Sequence, residues 1–166
     1  MKLVVLSAAC GVGKTTIKDE LAKILKGFAC IDADEVGINV WDYVGRNSEH
    51  SEDCLKEAVR LANGKDLLFS SCMFPLDFYG KINIPAEVTS TFLIAMTCSD
   101  EEITERLKAR PAERMCGDDE FIKGQIGYND WFRRNKGKFQ LYIDNTGLTV
   151  AATAERIANF IADLPE

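Results

Sequence analysis

The chain reads as an α/β protein, a mainly parallel sheet of five strands with helices on both faces, and three observations predict it. Short apolar runs of strand length alternate with stretches of helical periodicity along the whole sequence. The first apolar run passes through a glycine-rich turn directly into a helical pattern. The 166 residues suit a single domain, spanning 1–166, with a full core.

Taken in order, Leu3-Val4-Val5-Leu6 anchors a first strand over about 2–8. A helix over about 14–26 follows, with Ile17, Leu21, Ile24 and Leu25 on one face and Gly27 as its stop. Phe28-Ala29-Cys30-Ile31 is a second, buried strand running into Asp32-Ala33-Asp34. Ser51 is placed to cap a helix carrying Leu55, Ala58, Val59 and Ala62, closed by Gly64. The third strand is 66–72 and the fourth 91–97, with a connecting loop over 74–90 between them. Ser99 and Glu102 have the spacing of a capping box for a helix to Arg110, which Pro111 ends. A polar helix covers about 119–136, a fifth strand 139–143, and a last helix carries Val150, Ala154, Ile157, Ile161 and Leu164.

Composition narrows the function classes. Hydrophobic residues make up 46% and charged residues 28%, an ordinary balance for a soluble globular protein. A net charge of −6 argues against non-specific binding to nucleic acid or acidic membranes. Met1-Lys2 runs straight into a strand, so no signal peptide is expected, and no apolar run approaches the ~20 residues of a membrane span. Six cysteines at 10, 30, 54, 72, 98 and 116 form no C-x-x-C pair. Cys30, Cys72 and Cys98 lie in apolar runs, where cysteine behaves as a small hydrophobe. A reducing, cytoplasmic location is expected, and clustered zinc ligands are missing.

Residues 7–16, Ser-Ala-Ala-Cys-Gly-Val-Gly-Lys-Thr-Thr, carry the chemistry. Strand, glycine loop and helix opening on Gly-Lys-Thr are the context of a phosphate-binding loop, or Walker A motif. Gly11 and Gly13 let successive N–H groups turn inward, and the helix N-terminus adds partial positive charge. Ala9, Cys10, Gly11, Val12, Gly13, Lys14, Thr15 and Thr16 are therefore the nucleotide-binding candidates. Lys14 is expected to reach the β- and γ-phosphates and Thr15 to offer its hydroxyl to Mg²⁺. The motif asks for glycine where this chain has Ala8.

Ligands of parallel α/β sheets sit beyond the carboxyl ends of the strands. That rule gathers Asp32 and Asp34, Ser70 and Ser71, and Asn145 and Thr146 around the same crevice. Asp32 could serve the metal and Asp34 the acceptor hydroxyl of a phosphoryl transfer, or either could simply cap the following helix. Residues 106–138 hold nine basic and five acidic residues, against eleven basic and twenty-one acidic elsewhere. A basic patch on an acidic chain suits a local anionic ligand. Arg106 and Arg110 lie four apart, as on one helix face, and a guanidinium can clamp phosphate with two bonds. A solvated helix face is the plain alternative.

In their order, Gly11-Val12-Gly13-Lys14-Thr15-Thr16, Asp32-Ala33-Asp34 and Arg106 to Arg110 before a short loop resemble the P-loop small-molecule kinases, which include nucleoside monophosphate, shikimate, gluconate and adenylylsulfate kinases. The resemblance implies a three-layer P-loop NTPase fold with strand order 2-3-1-4-5. It implies a short lid after strand four, about 111–120, and an acceptor region over about 34–64. ATP and Mg²⁺ would be the cofactors, Arg106 would stack on adenine, Arg110 would touch phosphate, and Arg114 would belong to the lid. Asn145 lies in the loop that would border adenine. Lys14, Asp34 and Arg110 would then be catalytic, and Thr15 and Asp32 the metal side. The four-cysteine lid of some relatives is missing, and strand three ends without an acidic residue.

The expected activity is transfer of the γ-phosphoryl group of ATP to a small molecule, with no nucleic acid or membrane partner and a monomer or homodimer. Trp41, Tyr43 and Arg60, with Asp34, are acceptor-side candidates, along with Arg46, Phe74 and Phe78. The aromatics tilt the acceptor toward a nucleoside or nucleotide, with a sugar acid or a shikimate- or gluconate-like acceptor as the alternative. A hydrolase or regulatory nucleotide binder is the competing class. Asp34-Glu35-Val36-Gly37 fits a loose GTPase pattern, but Asn135-Lys136-Gly137-Lys138 lacks the acid that reads guanine. The AAA-type signature of a strand ending Asp-Glu is missing on strand three, and 166 residues leave no room for a helical second domain.

Overall fold

The computed structural model describes residues 1–72, 83–114 and 116–165. Phe74 and Phe78 lie outside them, as does the side chain of Arg114. The strands are β1 (Lys2–Ser7), β2 (Phe28–Asp32), β3 (Asp66–Ser71), β4 (Ser90–Thr97) and β5 (Leu141–Asp144). The helices are α1 (Lys14–Ile24), α2 (Asn47–Ala62), α3 (Asp100–Lys108), α4 (Asp119–Arg134) and α5 (Val150–Ala162). All four strand pairings are parallel, in the order β2-β3-β1-β4-β5 that the family resemblance implied.

Strand alternation splits the core into two layers. Val4, Leu6, Leu68, Ile94 and Met96 face α1 and α5 through Ile17, Leu21, Ile157 and Ile161. Leu3, Val5, Leu67, Phe69, Leu93 and Ala95 face the other way, onto Leu55, Ala58, Val59 and Ala62 of α2 and onto Phe132 and Phe139. β1 sits at the centre of the sheet with both faces covered. The loop that leaves it is therefore fixed at its base on all sides.

Several sequence expectations are corrected. Helix α1 stops at Ile24, with the Leu25 N–H bonded to Leu21, and Gly27 adopts no left-handed φ. The turn must end there because Phe28 already pairs with Asp66. Ile24 is consequently half-exposed. Helix α2 begins at Asn47, four residues before Ser51, whose hydroxyl donates to the Asn47 carbonyl inside the helix. Its C-terminus follows the expected logic: Asn63 and Gly64 take φ of 49° and 81°, closing the helix in the left-handed region. Ser99 does cap α3 by accepting from the Glu102 N–H. Glu102, however, sends its carboxylate to Arg106 and to the Gly147 N–H, so the box is not reciprocal. β2 is an edge strand and only half-buried until Asp32. The fifth strand begins at Leu141, with Phe139 packed in the core before it.

Candidate functional site

The loop between β1 and α1 is built by two left-handed glycines, Gly11 at φ 87° and Gly13 at φ 108°. Gly11 has a second reason to be glycine. A Cβ there would lie 3.1 Å from Leu107 Cγ and 3.3 Å from the Ile103 carbonyl, so α3 lies directly against the loop. Ala8 needs neither licence. Its φ is not left-handed and its methyl is fully buried, so alanine meets the steric demand of that position.

Side chains from distant elements hold the loop. Arg106 Nη1 donates to the Gly11 and Val12 carbonyls at 3.3 and 3.1 Å, while Nη2 pairs with Glu102 at 2.6 Å. Asn145 Nδ2 also donates to the Val12 carbonyl, at 3.1 Å. From α4, Gln125 Oε1 accepts the Cys10 N–H at 2.8 Å. Gln125 carried no sequence signal, because the contact spans 115 residues. Lys14 is folded back, its Nζ donating to the Ala8 and Ala9 carbonyls at 2.7 and 3.1 Å.

A cavity of about 110 Å³ opens over the loop. Cys10, Gly11, Gly13, Lys14, Thr15 and Thr16 line one side, and Asp32, Ala33, Asp34, Cys72 and Arg110 the other. Asp32 is the last residue of β2 and is 5% exposed. Its Oδ2 accepts from the hydroxyls of Thr15 at 3.2 Å and Ser70 at 3.0 Å, and its Oδ1 from the Asp34 N–H at 3.1 Å. Asp32 thus caps the 3₁₀ turn Ala33–Glu35 and faces Thr15 at the same time. Ser70 places only a hydroxyl at the end of β3, and the acid comes from β2 instead. The exposed Asp34 stands on the turn, in the wall of the cavity.

The oxygens of Thr15 and Asp32 are hard donors side by side, the chemistry Mg²⁺ prefers. Among the described residues no cluster of three or more His, Cys, Asp or Glu could enclose a metal. The pair therefore fits a cation that arrives with phosphate oxygens and water in its shell.

Glu35 carries an electrostatic link behind the turn. Burial pushes its carboxyl up, but the Lys18 ammonium that it accepts from and the Asp32 N–H outweigh that, and its pKa lies below the usual value.

A second cavity, about 190 Å³, lies on the far side of Gly13 and Thr16, lined also by Arg106, Asn145, Leu148 and Val150. Arg106 and Arg110 therefore do not act from one helix face. α3 ends at Lys108 and Ala109 caps it, since a residue before proline disfavours the helical region. Arg110 turns to the first cavity and Arg106 to the second.

The acceptor-side candidates separate. Tyr43 donates its hydroxyl to Asp53 and, with Arg46, lines another cavity of about 500 Å³. Trp41 stands on the surface, 74% exposed. Arg60 is not brought to the site: it pairs with Glu57 and lines a cavity with Met1 and Glu87, beside the start of β1. Helix α2 runs away from the strand carboxyl ends, so its last turn points there. Cys72, read from the sequence as a core residue, is exposed and lines the first cavity.

A family model described as an AAA domain matches residues 4–126. The chain belongs to the AAA domain family. The match spans β1 through the first half of α4, and so contains both cavities' loop and the two arginines. No curated protein sequence matches. Solved structures of the same fold include shikimate kinase from Bacteroides thetaiotaomicron, at TM-score 0.63 and 14% identity over 97% of this chain and 98% of that one. A deoxyadenosine kinase from M. mycoides, with dCMP and dCDP bound, aligns at TM-score 0.60 and 17% identity over 99% and 100%. The Deinococcus radiodurans tunicamycin resistance protein aligns at TM-score 0.62 and 19% identity over 96% and 95%. This AAA-domain chain thus has the fold of the P-loop small-molecule kinases. Among the described residues no helix is long and apolar enough to cross a membrane.

Proposed function

We propose that this chain is a phosphotransferase that moves the γ-phosphoryl group of ATP, with Mg²⁺, to a hydroxyl of a small molecule. One observation carries the reading: Lys14, Thr15, Asp32, Asp34 and Arg110, from three separate segments, line one 110 Å³ cavity over the loop. The second cavity, with Arg106 and Asn145 on its wall, would take the adenine end of the nucleotide.

Lys14 would leave the Ala8 and Ala9 carbonyls for the β- and γ-phosphate oxygens, exchanging neutral acceptors for charged ones. Loop N–H groups and the α1 N-terminus would hold the remaining phosphate charge. Asp32 and Thr15 would hold the magnesium ion, which supplies charge neutralisation when bound. Asp34 would orient the acceptor hydroxyl and take up its proton, and Arg110 would stabilise the charge spread over the moving phosphoryl group. Residues 111–120, beginning just after Arg110, would act as the lid over the nucleotide.

A nucleoside or nucleotide is the proposed acceptor. Its basis is the aromatic turn Val40–Tyr43, which follows Asp34 in the chain. A shikimate- or gluconate-like hydroxy acid is the alternative. ATP consumption measured against nucleosides, nucleoside monophosphates, shikimate, gluconate and aminoglycosides tests the proposal. A saturable increase with one acceptor class, together with its phosphorylated product, is expected. The AAA-domain match favours a second reading, nucleotide hydrolysis, and ATP loss that no acceptor increases would select it.

A further inference from the structure

We propose that Cys10 and Cys72 form an oxidation site, a dithiol that a peroxide converts into an intramolecular disulfide across the phosphate cavity. Cys10 sits in the middle of the loop and Cys72 directly follows β3, and both line the same 110 Å³ cavity. Their topology brings them there: Ser7 and Ser71 pair in the sheet, and each cysteine lies just beyond its strand's carboxyl end. The two thiols are close enough for each to shift the other's titration. Cys72 is exposed and Cys10 partly so, which gives a small oxidant access.

The local charges favour this pair over other thiols. The neighbouring Cys10 thiol and then the Lys14 ammonium hold the Cys72 thiol below its usual value, against the Asp34 charge. Cys10 is pushed up, first by Cys72 and then by burial. Burial holds Cys30, Cys54 and Cys98 up at about 11, so these stay protonated and unreactive.

The chemistry balances with hydrogen peroxide as the oxidant. The Cys72 thiolate attacks one peroxide oxygen, the O–O bond breaks, and a sulfenic acid and hydroxide result. Cys10 sulfur then attacks the sulfenic sulfur. The S–O bond breaks, the S–S bond forms, and the leaving oxygen takes the remaining protons as water. Two thiols lose two electrons and one peroxide becomes two waters. The bridge spans the space that a phosphate would fill and fixes the loop to the end of β3, so disulfide and bound phosphate exclude each other.

The loss of binding rests on the nucleotide reading above, whereas the cross-link does not. The test is one equivalent of hydrogen peroxide on the full chain, then alkylation and non-reducing peptide mapping. A peptide joining Cys10 to Cys72, and loss of two of the six thiols, is expected. Affinity for ATP with Mg²⁺, by calorimetric titration, should fall on the order of tenfold or more and recover with a dithiol reductant. Cys10→Ser and Cys72→Ser should each lose the linked peptide, and ATP binding by Cys72→Ser should no longer respond to peroxide. Bridges only between chains, or no linked peptide in the wild type, would overturn the proposal. A linked peptide with unchanged ATP affinity would overturn it too. Should the reduced chain bind no ATP, the nucleotide reading fails and the peptide map alone decides the dithiol.

Discussion

Asp32→Asn is the sharpest test of the site, because one carboxylate there serves three donors. The Thr15 and Ser70 hydroxyls reach Oδ2 at 3.2 and 3.0 Å and the Asp34 N–H reaches Oδ1 at 3.1 Å, around a side chain that is 5% exposed. Asparagine keeps the shape and can keep one acceptor toward the backbone N–H. Both hydroxyls must then rotate to accept from the amide, trading hydrogen bonds to a charge for neutral ones. That exchange costs about 1 kcal/mol per bond, so the loss is roughly 1–3 kcal/mol in total. For a domain of this size it lowers Tm by roughly 2–12 °C. Scanning calorimetry without nucleotide reads that effect. Half-saturating Mg²⁺ for ATP turnover should also rise on the order of tenfold. Ser70→Ala is the control: it removes one of the three bonds but leaves the charge, so Tm falls by a few degrees and the magnesium requirement holds. A lower Tm for Asp32→Asn with an unchanged magnesium requirement would show that Asp32 caps the turn and nothing more. No change in either would refute the hydrogen-bond account itself.

Other outcomes follow from the same geometry. Lys14→Ala should abolish phosphoryl transfer while circular dichroism stays native, and ordinary turnover would remove the loop from the mechanism. Asp34→Asn should cut turnover far more than ATP affinity, measured by titration against kcat. Gly11→Ala forces φ 87° on a residue whose Cβ meets Leu107 at 3.1 Å, so thermal unfolding should show a loss of roughly 1–3 kcal/mol. Glu35 has its carboxyl below the ordinary 4.5, so its contribution is present above that pH and lost as pH falls through the lower folded value. Glu35→Gln should therefore flatten the fall in stability on acidification below about pH 4.5, read from Tm against pH.

Contiguous features of the site were legible in sequence, and those that depend on register were not. Gly11, Gly13, Lys14 and Thr15 could be read because the loop is local and its neighbours are a strand and a helix. Strands alternating with helices implied the parallel sheet, and the family resemblance implied its order. Ser70 meeting Asp32 depends on a parallel pairing across 38 residues, which composition does not reveal. The meeting of Cys10 and Cys72 on one cavity is hidden for the same reason, since Cys72 reads as the end of an apolar run. The shared helix face expected of Arg106 and Arg110 fails for a local reason that the sequence contains. Pro111 disfavours helix at the preceding residue, so spacing by four was not a shared face. Arg60 failed because helix length alone does not say which end of the sheet a last turn reaches.

The Asp34 N–H resting on the Asp32 carboxylate makes the turn Ala33–Glu35 a shared lever. Whatever pulls Asp32 toward a cation pulls the peptide that carries Asp34 with it. On the proposed reading, donor and acceptor would then be aligned by one movement, and neither half could be tuned by itself. Retargeting the acceptor by rebuilding this turn would disturb the metal side as well. Changes made beyond Val36 would leave the lever intact.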